Sequence, residues 1–366
     1  MKRKIYDDLI KWKNEEQGAV ALLIEGSRRV GKSYIVQEFA KREYKSYILV
    51  DFAHISKSMK AVFDEYLNET DTFLMFLQNV AGVHLYERES LIIFDEVQKY
   101  PMARQAIKHL VADHRYDYIE TGSLVSINEN TQDILIPSEE RPLQMNPMDF
   151  EEFLWALGDE MTWPFVKQCF EKKMPMGPMH RKVMTLFRQY LIVGGMPQAV
   201  AEFLRTNDLM AVDRVKRKIL KLYREDIDKH AGRQARKVKL VFDGMPEQLS
   251  RHEKKFRLVS LEADAKMREY EDAFLWLREA MVANVCFNAT EPNIGLAMST
   301  DHTTFKCYLL DTGLLLTQAL SSGDEIDGRL LRGVLYDNLG VNEGMFFENA
   351  VAQALVAKGY ELFFFS

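Results

Sequence analysis

The sequence predicts an α/β fold in its first part: a mostly parallel sheet sandwiched by helices. A helical region, a helix-and-hairpin region and one further short segment follow. Three observations predict this. Short apolar runs without polar alternation recur at residues 19–25 (AVALLIE), 46–52 (SYILVDF), 91–94 (LIIF) and 116–120 (YDYIE), as strands covered on both faces require. Segments of helical spacing alternate with these runs. Beyond residue 147 the alternation stops and long helical patterns take over.

Each element has its own signal. Residues 33–43 carry Ile35, Val36 and Phe39 at helical spacing, and 63–85 and 103–111 also read as helices. Residues 128–147 lack helical periodicity and predict a loop over the sheet edge, then a last strand near 143–145. Helices are expected at 150–157, 180–193 and 208–228, with breakers at 172–178 (KKMPMGP) and 194–197 (GGMP). From residue 232, helices at 238–242, 256–261 and 270–280 precede strands at 285–288 and 305–310. Three helices and a hairpin are the pattern of a winged helix. Residues 345–358 read as a helix. Residues 361–365 read as an apolar strand with no visible partner, which predicts that the natural chain continues. The expected divisions are 1–155, 156–231, 232–318 and 319–366.

Composition narrows the function. The chain has 366 residues, long enough for two or three domains. A net charge of −6 argues against a globally basic nucleic-acid coat and leaves room for a local basic patch. Cys169, Cys286 and Cys307 are far apart and form no CxxC pair, so neither a disulfide framework nor a zinc site is expected. Residues 1–13 lack the apolar core of a signal peptide, and no run of ~18 apolar residues exists. A cytoplasmic protein with no membrane partner is the expectation.

Three motifs carry chemistry. Gly26, Ser27, Arg28, Arg29, Val30, Gly31, Lys32 and Ser33 fit GxxxxGK[ST] between an apolar strand and an amphipathic helix. Backbone N–H groups of such a loop, with Tyr34 opening the helix, cradle phosphates at a helix N-terminus. Lys32 is expected to bridge the β- and γ-phosphates of ATP, and Ser33 to be a Mg²⁺ ligand. Arg28 and Arg29 are expected to face solvent or a partner. In LIIFDE, four apolar residues end in Asp95 and Glu96, placing two acids at a strand tip where such sheets bind ligands. Asp95 is expected in the Mg²⁺ shell and Glu96 as general base toward water. In YIETGS, Thr121 is the candidate to position that water or sense the γ-phosphate, with Ser123 the alternative. Arg141, in EERP, is either an arginine reaching a γ-phosphate of its own or a neighbouring subunit, or a surface residue paired with Glu139 or Glu140. Basic stretches at 214–221, 233–239 and 251–257 are candidate contacts to DNA phosphates or solvated helix faces.

The combination resembles a family of bacterial and archaeal AAA-type P-loop ATPases with a C-terminal domain of unknown function. The resemblance rests on GSRRVGKS, LIIFDEVQ, ETGSL, PLQMNPMDFEEFL, GGMP, CYLLDTGLL and GMFFENAVAQAL. It implies a P-loop NTPase sheet, a winged helix and the start of a nuclease-like fold. It also implies Lys32 and Ser33 on nucleotide and Mg²⁺, and Thr121 as sensor. Glu348 matches the first-helix acid of the nuclease-like part, whose later acids this chain does not contain. Two functions stay open: an ATPase that moves its C-terminal domains, with DNA and a homo-oligomer as candidate partners, or a nucleotide-gated DNA-binding or signalling module with little turnover.

Overall fold

The computed structural model describes residues 1–123, 137–251, 255–291, 295–320, 333 and 344–365. The chain forms two compact units, Arg3–Met145 and Asn146–Ser366, the latter with Met1–Lys2. The predicted loop at 128–136 lies outside the described residues.

In the first unit, helix α1 (Ile5–Glu16) precedes β1 (Ala21–Glu25), α2 (Lys32–Glu43) and β2 (Ser46–Asp51). Then come α3 (Lys57–Tyr66), α4 (Thr70–Ala81), β3 (Ser90–Asp95), α5 (Pro101–Leu110), β4 (Asp117–Gly122) and β5 (Glu140–Gln144). The helix expected over 63–85 is two helices, α3 and α4, separated by residues 67–69. All five strands are parallel, in the order β2-β3-β4-β1-β5. Strand side chains alternate between faces. Leu23, Ile92, Phe94 and Tyr118 join one buried cluster with Phe63, Phe73 and Ile107 of α3, α4 and α5. Leu22, Ile24, Leu91, Ile93 and Ile119 have the opposite parity and are also buried, as are Ile35, Val36 and Phe39 of α2. Each such side chain contributes about 1.5–3 kcal/mol on burial, so β3 is fixed firmly and its tip is well defined.

The second unit opens with α6 (Phe150–Ala156), whose N-terminus carries a capping box: Glu152 N–H donates to Asp149 (2.9 Å) and Asp149 N–H to Glu152 (3.1 Å). Helices α7 (Thr162–Glu171), α8 (His180–Val193), α9 (Pro197–Thr206), α10 (Leu209–His230), α11 (Ala235–Ser250) and α12 (Glu271–Glu279) follow. Residues 256–261, expected to be helical, hold only a 3₁₀ turn at Leu258–Ser260. Strands β6 (Ala283–Ala289) and β7 (Thr300–Leu309) form an antiparallel pair, followed by α13 (Thr312–Leu320), α14 (Gly344–Ala357) and β8 (Phe363–Phe364). The strand expected to lack a partner has one: β8 runs parallel to β6, with Phe363 opposite Phe287.

Four of the quoted motifs meet in one buried network of this unit. Asp311 accepts from Gly195 N–H (2.6 Å) and Leu314 N–H (2.9 Å). Asn349 accepts from Leu309 N–H (2.8 Å) and donates to its carbonyl (3.0 Å). Gln353 accepts from Thr312 N–H (3.0 Å) and donates to the Tyr190 hydroxyl, which donates to Met148 O (both 3.0 Å). GGMP, CYLLDTGLL, GMFFENAVAQAL and the segment around Met148 thus specify internal packing, because buried polar groups need partners.

Candidate functional site

The site stands at the carboxyl ends of β1, β3 and β4, neighbours in the order β3-β4-β1. Register places Phe94 beside Glu120 and Ile24 beside Thr121. Asp95, Thr121 and the loop after Glu25 therefore emerge together. Gly26 has no room for a side chain: a Cβ there lies 2.4 Å from Met145 O. Gly31 caps α2 with φ of 99°, a left-handed conformation that glycine adopts without strain. Arg29 (φ 70°) and Glu96 (φ 56°) are non-glycine residues in the same region. Strained backbone of this kind clusters at functional sites.

Asp95 is the centre of the polar set. Ser33 Oγ donates to its Oδ1 at 2.8 Å. Thr121 Oγ1 donates to the same oxygen and accepts from Glu96 N–H at 3.3 Å. Lys32 is buried, and its Nζ donates to the carbonyls of Gly26 (2.8 Å) and Ser27 (3.1 Å). Burial pushes its ammonium down to about 8, against the opposing pull of Glu96 and Asp95. Gln98, buried on the 3₁₀ turn Val97–Lys99, donates to Glu96 Oε2 at 2.5 Å.

The sequence-predicted residues thus divide. Gly26, Ser27, Val30, Gly31, Lys32, Ser33, Asp95, Glu96 and Thr121 lie in one loop-and-strand-tip cluster. Arg28, Arg29 and Tyr34 expose their side chains. Arg141 is not brought to the cluster. It stands opposite Leu22 near the start of β5 and pairs with Glu15 (3.9 Å) and Glu16 (3.5 Å) of α1, at the other end of the strand from the loop. The sequence expectation of a pair with Glu139 or Glu140 is replaced by these partners, because Glu140 is taken by Arg104.

Two features had no sequence signal. Arg3 is buried and its Nη1 donates to Val30 O at 3.0 Å, bracing the loop from 27 residues away. Arg104 of α5 grips Glu140 through two bonds (2.8 and 2.6 Å). Glu120 and Glu25 have the strand parity of Glu140 and feel the charge of Arg104. Burial, then the charge of Glu140, holds the Glu120 carboxyl well above the usual carboxylate range, and burial raises Glu25. Three acids around one guanidinium favour the protonated form of the buried carboxyls, Glu120 above all.

The basic stretches are largely matched by acids. Arg217 pairs with Asp213, Lys221 with Glu225, Lys239 with Asp228, Arg236 with Glu262, Lys237 with Glu269 and Arg251 with Glu247. Glu348 lies on α14 and accepts from the Tyr308 hydroxyl at 3.1 Å. Among the described residues, no group of three or more His, Cys, Asp or Glu side chains is arranged to hold a metal ion, and no helix is long and apolar enough to cross a membrane.

Residues 19–154 match the family described as an AAA domain, and residues 184–325 match a domain of unknown function (DUF8612). The chain is similar to the Walker-type ATPase PABY2304 of Pyrococcus abyssi: 15% identity, 87% of this chain and 95% of that one covered, TM-score 0.51. A second solved structure, the Aeropyrum pernix Orc1 protein in complex with DNA, aligns at 10% identity over 92% of this chain and 93% of that one, TM-score 0.34. No curated protein matches the chain. The first unit has the P-loop NTPase fold of AAA type, and a helical region follows it.

Proposed function

We propose that the chain binds ATP with Mg²⁺ at the loop of residues 26–33 and hydrolyses its terminal phosphoanhydride bond. The observation that carries this is the meeting of Ser33 and Thr121 on Asp95 Oδ1, beside a buried Lys32 whose partners among the described residues are backbone carbonyls. A lysine tied to its own loop is a cation prepared for an anion. A hydroxyl and a carboxylate offer hard oxygen donors, which fit a magnesium ion.

The residues act as follows. Backbone N–H groups at the N-terminus of α2 receive the phosphates. Lys32 exchanges its carbonyl partners for phosphate oxygens. Ser33 and Asp95 would hold the metal, which would supply neutralisation of the charge that develops on the phosphate oxygens. Glu96 takes the proton from the attacking water. Thr121 tethers Asp95 and, through Glu96 N–H, keeps both acids at one strand tip. Arg3 fixes Val30 and so the curve of the loop.

A consequence for the rest of the chain follows from connectivity. Met145 N–H donates to Glu25 O, and Met145 O lies where a Gly26 side chain would be. The covalent link to the second unit begins one residue later, so loop movement on nucleotide binding is felt there. DNA, met through the winged-helix pattern of residues 232–318, is the partner to test first. Phosphate release with and without DNA, for the native chain, Lys32→Ala and Glu96→Gln, is the deciding experiment. Loss of release in Glu96→Gln with ATP still bound supports hydrolysis. ATP binding with no release by the native chain under either condition overturns it.

A further inference from the structure

We infer that Gln98 is a positioning residue for the attack on ATP, acting by holding the Glu96 carboxylate. The inference rests on the proposed hydrolysis. The Gln98 amide donates to Glu96 Oε2 at 2.5 Å. A carboxylate only accepts, so the nitrogen of the amide must face it, and the orientation of the Gln98 side chain is settled by chemistry. The amide oxygen then faces away from Glu96 and is buried with no hydrogen-bond partner among the described residues.

That unsatisfied oxygen is informative. Gln98 is only 7% exposed, and its neighbour Val97 is fully buried. An apolar side chain of similar volume would fill the position without stranding an acceptor. What the amide contributes instead is its single bond to Glu96. Glu96 needs such a bond. Its backbone is held left-handed at φ 56° and its N–H is tied to Thr121, so the main chain is fixed while the carboxylate, on three rotatable bonds, is not. With Oε2 occupied by Gln98, Oε1 is the oxygen left to receive the proton of water.

Gln98→Met removes the amide and keeps the volume. Gln98→Asn keeps an amide on a shorter arm. The native chain, both variants and Glu96→Gln are compared for turnover, nucleotide affinity by calorimetry and thermal unfolding. Gln98→Met is expected to lower kcat about 10–100-fold, as loss of an orienting partner does. Its nucleotide Kd and Tm should stay near native values, and Gln98→Asn should recover part of the rate. Unchanged kcat in Gln98→Met, or a loss of kcat that only follows losses in Kd and Tm, overturns the inference. Turnover that survives Glu96→Gln overturns instead the base role of Glu96 on which it stands.

Discussion

Ser33 and Asp95, 62 residues apart in sequence, are joined by a hydrogen bond of 2.8 Å from the serine hydroxyl to the carboxylate. One residue opens the helix after the phosphate loop and the other ends a strand two places away in the sheet. The bond exists because β3 and the loop after β1 finish at the same level. Thr121, from the strand between them, shares the same carboxylate oxygen.

This arrangement makes metal dependence testable. Asp95→Asn keeps the size of the side chain and removes its charge. Nucleotide affinity of the native chain should rise on adding Mg²⁺, and that rise should shrink by tenfold or more in the variant, roughly 1.4 kcal/mol or above. In EDTA the two should bind alike. Equal Mg²⁺ gains in titration calorimetry would remove Asp95 from the metal shell.

Lys32 sets a pH dependence. Its ammonium is pushed down to about 8 by burial, and triphosphate binding favours the charged form. Below pH 8 the lysine is already charged and affinity is flat. Above pH 8 the free protein has lost that proton and must regain it, so affinity falls, by up to about tenfold per pH unit. Calorimetry at pH 8.5 in two buffers of different ionisation enthalpy should show net proton uptake. Lys32→Ala should show weak binding and none of that uptake.

The site was legible where its signal is local. The loop motif spans eight consecutive residues, and Asp95 and Glu96 close an apolar run, so strand and acid are read together. Arg3 with Val30 and Arg104 with Glu140 were not legible. Each joins residues 27 and 36 apart, and a lone charged residue reads as surface. Arg141 was open between a phosphate and a surface pair with acids; its placement in a loop, suggested by Pro142 and the acids before it, is what the structure changes, and Glu15 and Glu16 are the acids it meets. The segment is β5, an edge strand, where proline is tolerated, and register then carries Arg141 to the far end. The break between α3 and α4 had a local signal that the helical reading of 63–85 passed over: residues 68–72 (NETDT) are all polar and interrupt the apolar spacing.

Arg141 therefore has a modest expected role. Arg141→Ala removes two partly exposed ion pairs, worth under about 1 kcal/mol together. Turnover of the chain should change by no more than about twofold. A loss of a hundredfold or more, with nucleotide still bound, would show that the arginine serves a neighbouring subunit's phosphate.

The buried acids give a second pH effect with its own sign. Burial, then the charge of Glu140, holds the Glu120 carboxyl well above the usual carboxylate range. In the unfolded chain it ionises near pH 4.5. As pH rises past that value the unfolded state loses a proton that the folded state keeps, so stability falls until the folded group also ionises. Glu120→Gln mimics the protonated form and should flatten this fall in urea titrations run upward from pH 4.5. Arg104→Met should do the opposite, leaving acids without their cation at a loss of about 3–5 kcal/mol. A stability curve unchanged by Glu120→Gln would mean that the carboxyl is not held protonated.

Two glycines of the second unit separate close packing from mere absence of a side chain. At Gly195 a Cβ lies 2.0 Å from Met148 O and 2.7 Å from Met148 N, both backbone atoms. Met148 N–H also donates to Gly195 O at 2.7 Å, and Asp311 holds Gly195 N–H, so neither strand of chain is free to retreat. Gly244 lies within α11, and among the described residues a Cβ there meets Leu261 Cδ2 alone, at 2.7 Å, the movable end of a side chain. Gly195→Ala should destabilise by about 3 kcal/mol or more, at the upper end for overpacking, and lower the unfolding temperature by roughly 6 °C or more. Gly244→Ala should be neutral or stabilising by up to about 1 kcal/mol, since alanine is the better helix former. Calorimetric scans of the two variants decide it: equal effects would mean that the buried polar network around Asp311 yields readily, and that its motifs do not depend on close approach.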